Sequence, residues 1–313
     1  EDGGVHTNYL ESNNTSPCGY DVLSESQGIM MEYATVKEDK ELFDQYLNYV
    51  TKNMLLPNSL LGWMVTKKDG AATSNALADD LRIYKALYQA NELWGGYDEL
   101  LGSLGDSILK YNTNKDRLVD CYDSKTEEKS ERITLCFLDF NSIKLLTKEA
   151  EYNLDLYQQS LQLVSEGYIG DGFPFYYSWY DYANNEFVQD DLNMAEEVHT
   201  LLNLARVGEL KQETIAWLEN SLQEGGIKAR YTTAGEVVED YNYESTAIYA
   251  MVAMIGNEIG NKSMVTKAIA RMESVRVNDT SIVWNGAFTA DEGKDIYSFD
   301  QCMALLAYEY VEK

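Results

Sequence analysis

Segments that are apolar nearly all round alternate along this chain with segments that are apolar along one stripe only, and few folds accommodate such an alternation. Glu25 to Val36 is of the first kind. Lys40 to Met54 is of the second, with Leu42, Tyr46, Tyr49 and Val50 at helical spacing and charges on the other face. The pattern repeats through Ala76 to Trp94, Glu99 to Tyr111, Asp139 to Thr147, Ala150 to Ser165, Leu192 to Val207, Gln212 to Gln223, Glu244 to Ile259, Ser263 to Ser274 and Phe299 to Val311. Only three prolines interrupt it. Roughly eleven or twelve helices, buried and surface in turn, predict an all-α fold, an (α/α)6 barrel or six-hairpin toroid whose inner ring is hidden on both sides. A straight α-solenoid is the competing architecture, but no fixed sequence repeat runs through the chain.

Nothing rich in Pro, Gly or Ser divides the 313 residues, and 45% of them are hydrophobic, so one domain over 1–313 is expected, with 1–20 a loose N-terminal segment. The formal net charge of -27 sets the chain against nucleic acid and anionic membrane surfaces. A neutral or cationic partner fits it better. With two histidines, His6 and His199, a multi-His metal site is out of reach, and His199 reads as a structural histidine within a helix. Cys18, Cys121, Cys136 and Cys302 show no C-x-x-C spacing, although Cys121 and Cys136 are candidates to face each other across a hairpin. No metal and no organic cofactor is expected. There is no apolar run long enough to span a membrane and no signal peptide, and a chain starting at Glu1 reads as a trimmed or mature form.

Three insertions break the helical pattern, each ahead of a buried helix: Leu118 to Cys136, Phe173 to Val188 turning at Asn184-Asn185, and Ile227 to Val238 turning at Ala234-Gly235. Each reads as a β-hairpin, and all belong on the rim where the buried helices start. That rim is acidic, because Glu25, Asp79 and Asp80, Asp139, Asp190 and Asp191, Glu244 and Asp300 open the buried helices. Single acids there serve the helix dipole. A ring of them around one mouth suits a carbohydrate, whose hydroxyls are donors and whose cleavage needs paired carboxylates. Trp63 and the aromatic run with Tyr176, Tyr177, Trp179 and Tyr180 offer flat faces for sugar rings, or ordinary hairpin packing.

The stretch around the first acid is the most specific. In Leu23-Ser24-Glu25-Ser26-Gln27-Gly28-Ile29-Met30-Met31 a glutamate opens an apolar helix behind a serine able to cap it and ahead of a glycine that admits a close neighbour. It resembles the S-E-G-Q-G-Y-G-M acid motif of family-8 glycoside hydrolases, with Ser24, Glu25, Gln27, Gly28 and Met31 in register. Leu61-Gly62-Trp63 is similar to that family's A-W strand, and Ala76 through Trp94 to its A-T-D-G-D-L-D-I-A-Y-A-L-L-L-A-D-K-Q-W signature. Counted back from Trp94, Ala78 stands on the first aspartate of the signature and Asp80 on the second. Thr134 through Asp139 is similar to N-P-S-Y-F ahead of the third inner helix, and Tyr243-Glu244-Ser245 to the Y-D-A-x-R base stretch.

The resemblance implies a divergent glycosidase that cuts a polysaccharide within the chain, with inversion. It makes Glu25 the general acid, Asp79 or Asp80 the sugar-holding carboxylate, and Glu244 or Asp139 a candidate base. Gln27, Asp191, Trp63 and the aromatics Tyr176, Tyr177, Trp179 and Tyr180 are the expected substrate contacts. β-Glucan follows from the resemblance, with α-glucan or exopolysaccharide left open. The substrate suggests an extracellular or cell-surface monomer with a polysaccharide or oligosaccharide partner, and neither nucleic acid nor membrane insertion. A polysaccharide-binding protein without its base, or a helical interaction scaffold, is the alternative.

Overall fold

The computed structural model describes residues 3–9, 19–149, 155–289 and 296–312. Eleven α-helices lie among them: α1 (Ser24–Val36), α2 (Lys40–Asn53), α3 (Leu77–Trp94), α4 (Asp98–Tyr111), α5 (Phe140–Glu149), α6 (Leu156–Glu166), α7 (Met194–Ala205), α8 (Gln212–Gln223), α9 (Thr246–Glu258), α10 (Lys262–Glu273) and α11 (Ser298–Glu312). The odd-numbered helices form the inner ring. Each packs on the next from α1 to α11, and α11 returns to α1, so the ring closes as an (α/α)6 barrel and not as a solenoid. Outside it, α2, α4, α6 and α10 back α1, α3, α5 and α9, and α8 leans on α10. The first residues expected of α6, 150–154, lie outside the described residues.

Burial follows the patterning. In α9 every residue from Thr246 to Gly256 is buried, whereas α10 buries Met264, Ala268 and Met272, a single stripe at every fourth position. The outer helices α2 and α10 start on side-chain caps from Asp39 and Asn261. The inner helices α1 and α3 carry none. Their first amides are met by passing backbone instead, Ser24 N donating to Trp63 O at 3.0 Å and Leu77 N to Asp120 O at 2.9 Å. Acids in those first turns are therefore released from capping.

Twelve short strands decorate the end of the barrel where the inner helices begin: β1 (Val22–Leu23), β2 (Met64–Thr66), β3 (Gly70–Ala71), β4 (Thr113–Asn114), β5 (Arg117–Leu118), β6 (Tyr122–Asp123), β7 (Glu128–Lys129), β8 (Arg132–Thr134), β9 (Trp179–Asp181), β10 (Glu186–Phe187), β11 (Leu192–Asn193) and β12 (Arg230–Tyr231). All pairings are antiparallel, in the orders β1-β2-β3, β10-β9-β8, β11-β12, β4-β5 and β6-β7. The hairpins expected within Leu118–Cys136 and Phe173–Val188 form, the latter with Asn185 at φ 56 in its turn. The third forms as a short one turning at Gly235: Tyr231 bridges Val237, Thr232 N donates to Glu236 O at 2.8 Å and Val238 N to Arg230 O at 3.2 Å, while β12 also pairs with β11.

Two readings are corrected. Residues 3–9 are tied down: His6 bridges Val22, Asn8 bridges Tyr297 and Thr7 N donates to Asp21 O, so this part of the segment expected to be loose joins the entrances of α1 and α11. Cys121, Cys136 and Cys302 are free thiols. Cys121 cannot face Cys136, because its carbonyl accepts from Ser130 N across the β6-β7 hairpin while Cys136 is buried in the turn after β8. Cys18 lies outside the described residues.

Candidate active site

Glu25 is the second residue of α1 and half-buried at the barrel mouth. Burial, then the charge of Asp79, pushes its carboxyl up; Arg82 opposes this and Asp300 adds to it, leaving it at about 7. The serine before it is not a cap. The cap position belongs to Leu23, and Ser24 Oγ lies 2.6 Å from Asp79 Oδ2 and 3.1 Å from Trp63 O, so it fastens α1 to α3. Trp63 is brought to the same place by Gly62, where a Cβ would stand 2.5 Å from the Ala72 carbonyl oxygen. Trp63 is half-buried, and its backbone carbonyl lies against the start of α1.

Helical phase separates the two adjacent aspartates of α3. Asp79 turns to Glu25, and its carboxyl is raised by burial against the opposing pull of Arg82 and Ser24. Asp80, fully buried, turns outward: Asn75 Nδ2 donates to its Oδ2 at 2.7 Å and to Asn112 Oδ1 at 2.9 Å, tying α3 to the end of α4. Asp80 is held far above the usual carboxylate range by burial and has no access to the mouth. The same argument removes Gln27. Two residues on a helix are about 200° apart, so Gln27 points away from Glu25, and it is 0% exposed.

Asp300, third in α11, joins Glu25 from the other side. Its Oδ1 accepts from Ser245 Oγ and Ala247 N, both at 2.7 Å, so it caps the neighbouring α9, and burial raises its carboxyl. The two sequence candidates for the base are engaged elsewhere. Asp139 caps its own helix through Asn141 N and Ser142 N and pairs with Lys85 at 3.1 Å. Glu244 pairs with Lys228 at 2.9 Å and with Arg271 of the outer helix α10 at 3.4 Å, and it accepts from Tyr249, which holds it below its ordinary value despite burial. Asp191 is exposed ahead of β11.

The aromatic run divides by alternation. Tyr176 is 1% exposed and packs on Tyr168, so it is core and not a platform. Tyr177 stacks on Phe187 at 5.7 Å. Trp179 and Tyr180 point to opposite faces of β9. Tyr180 lines an outer groove of about 440 Å³ with Leu156, Gln159 and Leu163 of α6. Trp179 shares its face with Arg132, whose guanidinium lies 4.9 Å from the ring centre and pairs with Asp120. Both charges bear on Glu196 in the first turn of α7, on the mouth side.

Below the mouth the barrel axis holds charges that sequence reasoning missed. Glu32 is within 3.1 Å of Lys85, 3.5 Å of Arg206 and 4.0 Å of Arg82. Burial works to raise it, but Lys85, Arg206 and Arg82 outweigh burial and bring it to about 2. His199 lies beside Arg82 with its ring nitrogen 3.3 Å away, and burial followed by Arg82 and Arg206 lowers it to about 3, leaving the ring neutral. The signal for this cluster was the presence of Glu32, Arg82, Lys85 and Arg206 inside helices otherwise read as buried. Among the described residues no group of three His, Cys, Asp or Glu side chains is arranged to hold a metal.

An (α/α)6 barrel with a raised glutamate and further carboxyls at one mouth defines a class of proteins that cleave glycosidic bonds with acid side chains. Comparison with known proteins gives the family. The family described as "Glycosyl hydrolases family 8" matches residues 11–123. YdaJ of Bacillus subtilis (strain 168), named as a candidate lipoprotein, is 28% identical over 293 residues, 91% of this chain and 78% of YdaJ. The solved structure of an alpha-amylase from Clostridium perfringens superposes with a TM-score of 0.91 at 31% identity, over 99% of this chain and 93% of that one. Endo-beta-1,4-glucanase CMCax from Acetobacter xylinum superposes at 0.70 and 17% identity, over 99% of this chain and 93% of its own. The chain is a divergent relative of the family 8 glycoside hydrolases, whose model it matches over residues 11–123.

Proposed function

We propose that this glycosidase cuts internal bonds of a glucan or related polysaccharide by an inverting acid and base mechanism, as one catalytic domain acting alone at or outside the cell surface. The observation that carries the reading is the Glu25 carboxyl at about 7, half-buried at the mouth, with Asp79 and Asp300 beside it. A carboxyl that still carries its proton near neutrality is able to protonate a leaving glycosidic oxygen. Asp79, fixed by Ser24, accepts hydrogen bonds from sugar hydroxyls and strengthens them as positive charge develops on the ring. Asp300 is the better candidate for the base than Glu244 or Asp139. Its Oδ1 is held by two donors and, among the described residues, it forms no ion pair, which supports Oδ2 as the atom that takes the water.

Likeness to a protein named an alpha-amylase, over nearly the whole chain, puts α-glucans first among substrates to try, with β-1,4-glucan and exopolysaccharide beside them. The likeness to YdaJ supports a place at the cell surface, and among the described residues no helix is long and apolar enough to cross a membrane. A reducing-sugar assay over these polymers, with proton NMR of the first product anomer, tests the reading. A product keeping the anomeric configuration of the cleaved bond rules out inversion. Release of sugar only from chain ends rules out internal cleavage.

A further inference from the structure

Arg82 is unaccounted for by acid catalysis alone. It lies on α3 one turn below Asp79 and is 7% exposed. Counted back from Trp94, it stands where the family signature has its third aspartate, so the charge at that position is reversed. Its guanidinium is hemmed in without being clamped: Nη1 is 3.9 Å from Asp79 Oδ1, Nε is 4.0 Å from Glu32 Oε2 and Nη2 is 3.3 Å from His199 Nε2. Neither carboxylate is at hydrogen-bond length, so Arg82 acts on both as a charge. The height of that charge is set by α1. A Cβ at Gly28 would stand 3.3 Å from Arg82 Cδ and 3.2 Å from Ile83 Cγ1, so the glycine in the acid motif is the slot along which the arginine stem runs.

We infer that Arg82 is a positioning residue that decides which mouth carboxyl carries the proton, holding Asp79 as the anion and leaving the proton on Glu25. The inference rests on the acid role proposed for Glu25 and adds to it the group that makes the pair unequal. Arg82 stands 3.9 Å from Asp79 Oδ1, whereas its charge reaches Glu25 on α1 without an ion pair among the described residues. The other groups facing this pair do not supply the asymmetry. On α11, Asp300 and the Cys302 thiol add negative charge or none. On α3, Asp80 is turned away and Lys85 is spent on Glu32 and Asp139. On α7, Arg206 pairs with Glu32, and His199 is neutral. Ser24 donates to Asp79 but carries no charge.

The test needs no substrate. Carbon-13 NMR of labelled Glu and Asp side chains follows the Glu25 and Asp79 carboxyls through a pH titration, with assignments from Glu25→Gln and Asp79→Asn. Arg82→Met keeps the stem and deletes the charge, so both midpoints should rise, Asp79 more than Glu25 and by about one unit or more. Arg82→Lys should keep them near the wild-type values. Gly28→Ala, which pushes on the stem without touching a charge, should move them the same way by less, and serves if the methionine variant does not fold. Where a substrate is cleaved, the whole bell of kcat/KM against pH should slide upward in Arg82→Met. Unmoved midpoints, or activity lost evenly at every pH with the bell in place, would reduce Arg82 to packing. Activity surviving in Glu25→Gln is a separate failure, of the acid assignment, and leaves the titration result standing.

Discussion

Glu25 and Glu32 sit on one helix, seven residues apart and so on nearly the same face, about 10 Å from one another along the axis. Both are shielded by the barrel, yet one is pushed up to about 7 and the other down to about 2. Burial acts in the same direction on each. What separates them is company: Glu25 has two acids against one arginine, whereas Glu32 has a lysine and two arginines against one acid, Asp139. Glu25 keeps its proton near neutrality and Glu32 gives its own up. Desolvation alone therefore does not make a catalytic acid in this fold, and the cation cluster below the mouth is what keeps Glu32 ionised where Glu25 is not.

The contrast breaks first at Glu25. Replacement by Gln removes the transferable proton while keeping shape and neutrality, and should cost about 10²–10⁴-fold in kcat/KM on polysaccharide with no loss in thermal unfolding. In the wild type the alkaline limb of kcat/KM should fall near pH 7, since activity needs the protonated form. A variant retaining a tenth or more of the activity would remove Glu25 from the mechanism. The mirror experiment is Glu32→Gln, which leaves Lys85, Arg206 and Arg82 short of their shared partner. It should destabilise by about 3–5 kcal/mol, read by denaturant unfolding, because breaking one side of a buried ion cluster strands the other. A loss under 1 kcal/mol would mean that water reaches the shaft.

The difference between these two acids also marks how far the sequence could be read. The inner and outer helices were legible because burial on all sides and burial on one stripe leave different patterns, as α9 and α10 do. Glu25 was legible because a motif and a helix start coincide on it. Motif matching carries no helical phase, however, and that is why Gln27 and Asp80 were counted with the site although each is turned from it by its helix. Tyr176 falls outside the alternation of β9, because it lies in a loop that tucks under α7. Arg82 and Glu32 were passed over because a charge within an apolar helix acquires meaning only when the facing helix is known. Their partners come from α3 and α7, far away in the chain.

A third acid sharpens the comparison from the side of stability. Glu197 is buried at the start of α7, where it accepts from Tyr176 N and lies 3.2 Å from Ser178 Oγ; burial lifts it to about 8 against those two bonds. Among the described residues no cation pairs with it. Its folded value lies above the ordinary 4.5, so its contribution is fully present below pH 4.5 and is lost as pH rises through about 8. Glu197→Gln should thus match the wild type at pH 4 and be the more stable protein at pH 8, in parallel urea titrations. Equal stabilities at both pH values would mean that Glu197 is solvated and the rule of company fails there.

The smallest effect expected concerns the two faces of β9, where mouth and exterior meet in adjacent residues. Trp179 shares the mouth face with Arg132, and Tyr180 lines the outer groove against α6. If the mouth is the sugar-binding side, Trp179→Ala should weaken binding of a long substrate by about 1–3 kcal/mol, on the scale of bases stacking on aromatic side chains. Tyr180→Ala should leave it unchanged, though the lost contacts with Tyr182 and Phe187 will lower thermal stability. The two are neighbours in sequence, so differences in expression or global fold are nearly controlled for, and KM for a polymer against KM for a short oligosaccharide separates a platform from a packing defect. A platform on the rim matters more as the chain lengthens. Should Tyr180→Ala raise KM for the polymer and Trp179→Ala not, sugar would be running along the outer groove, and the mouth would have to be approached from that side.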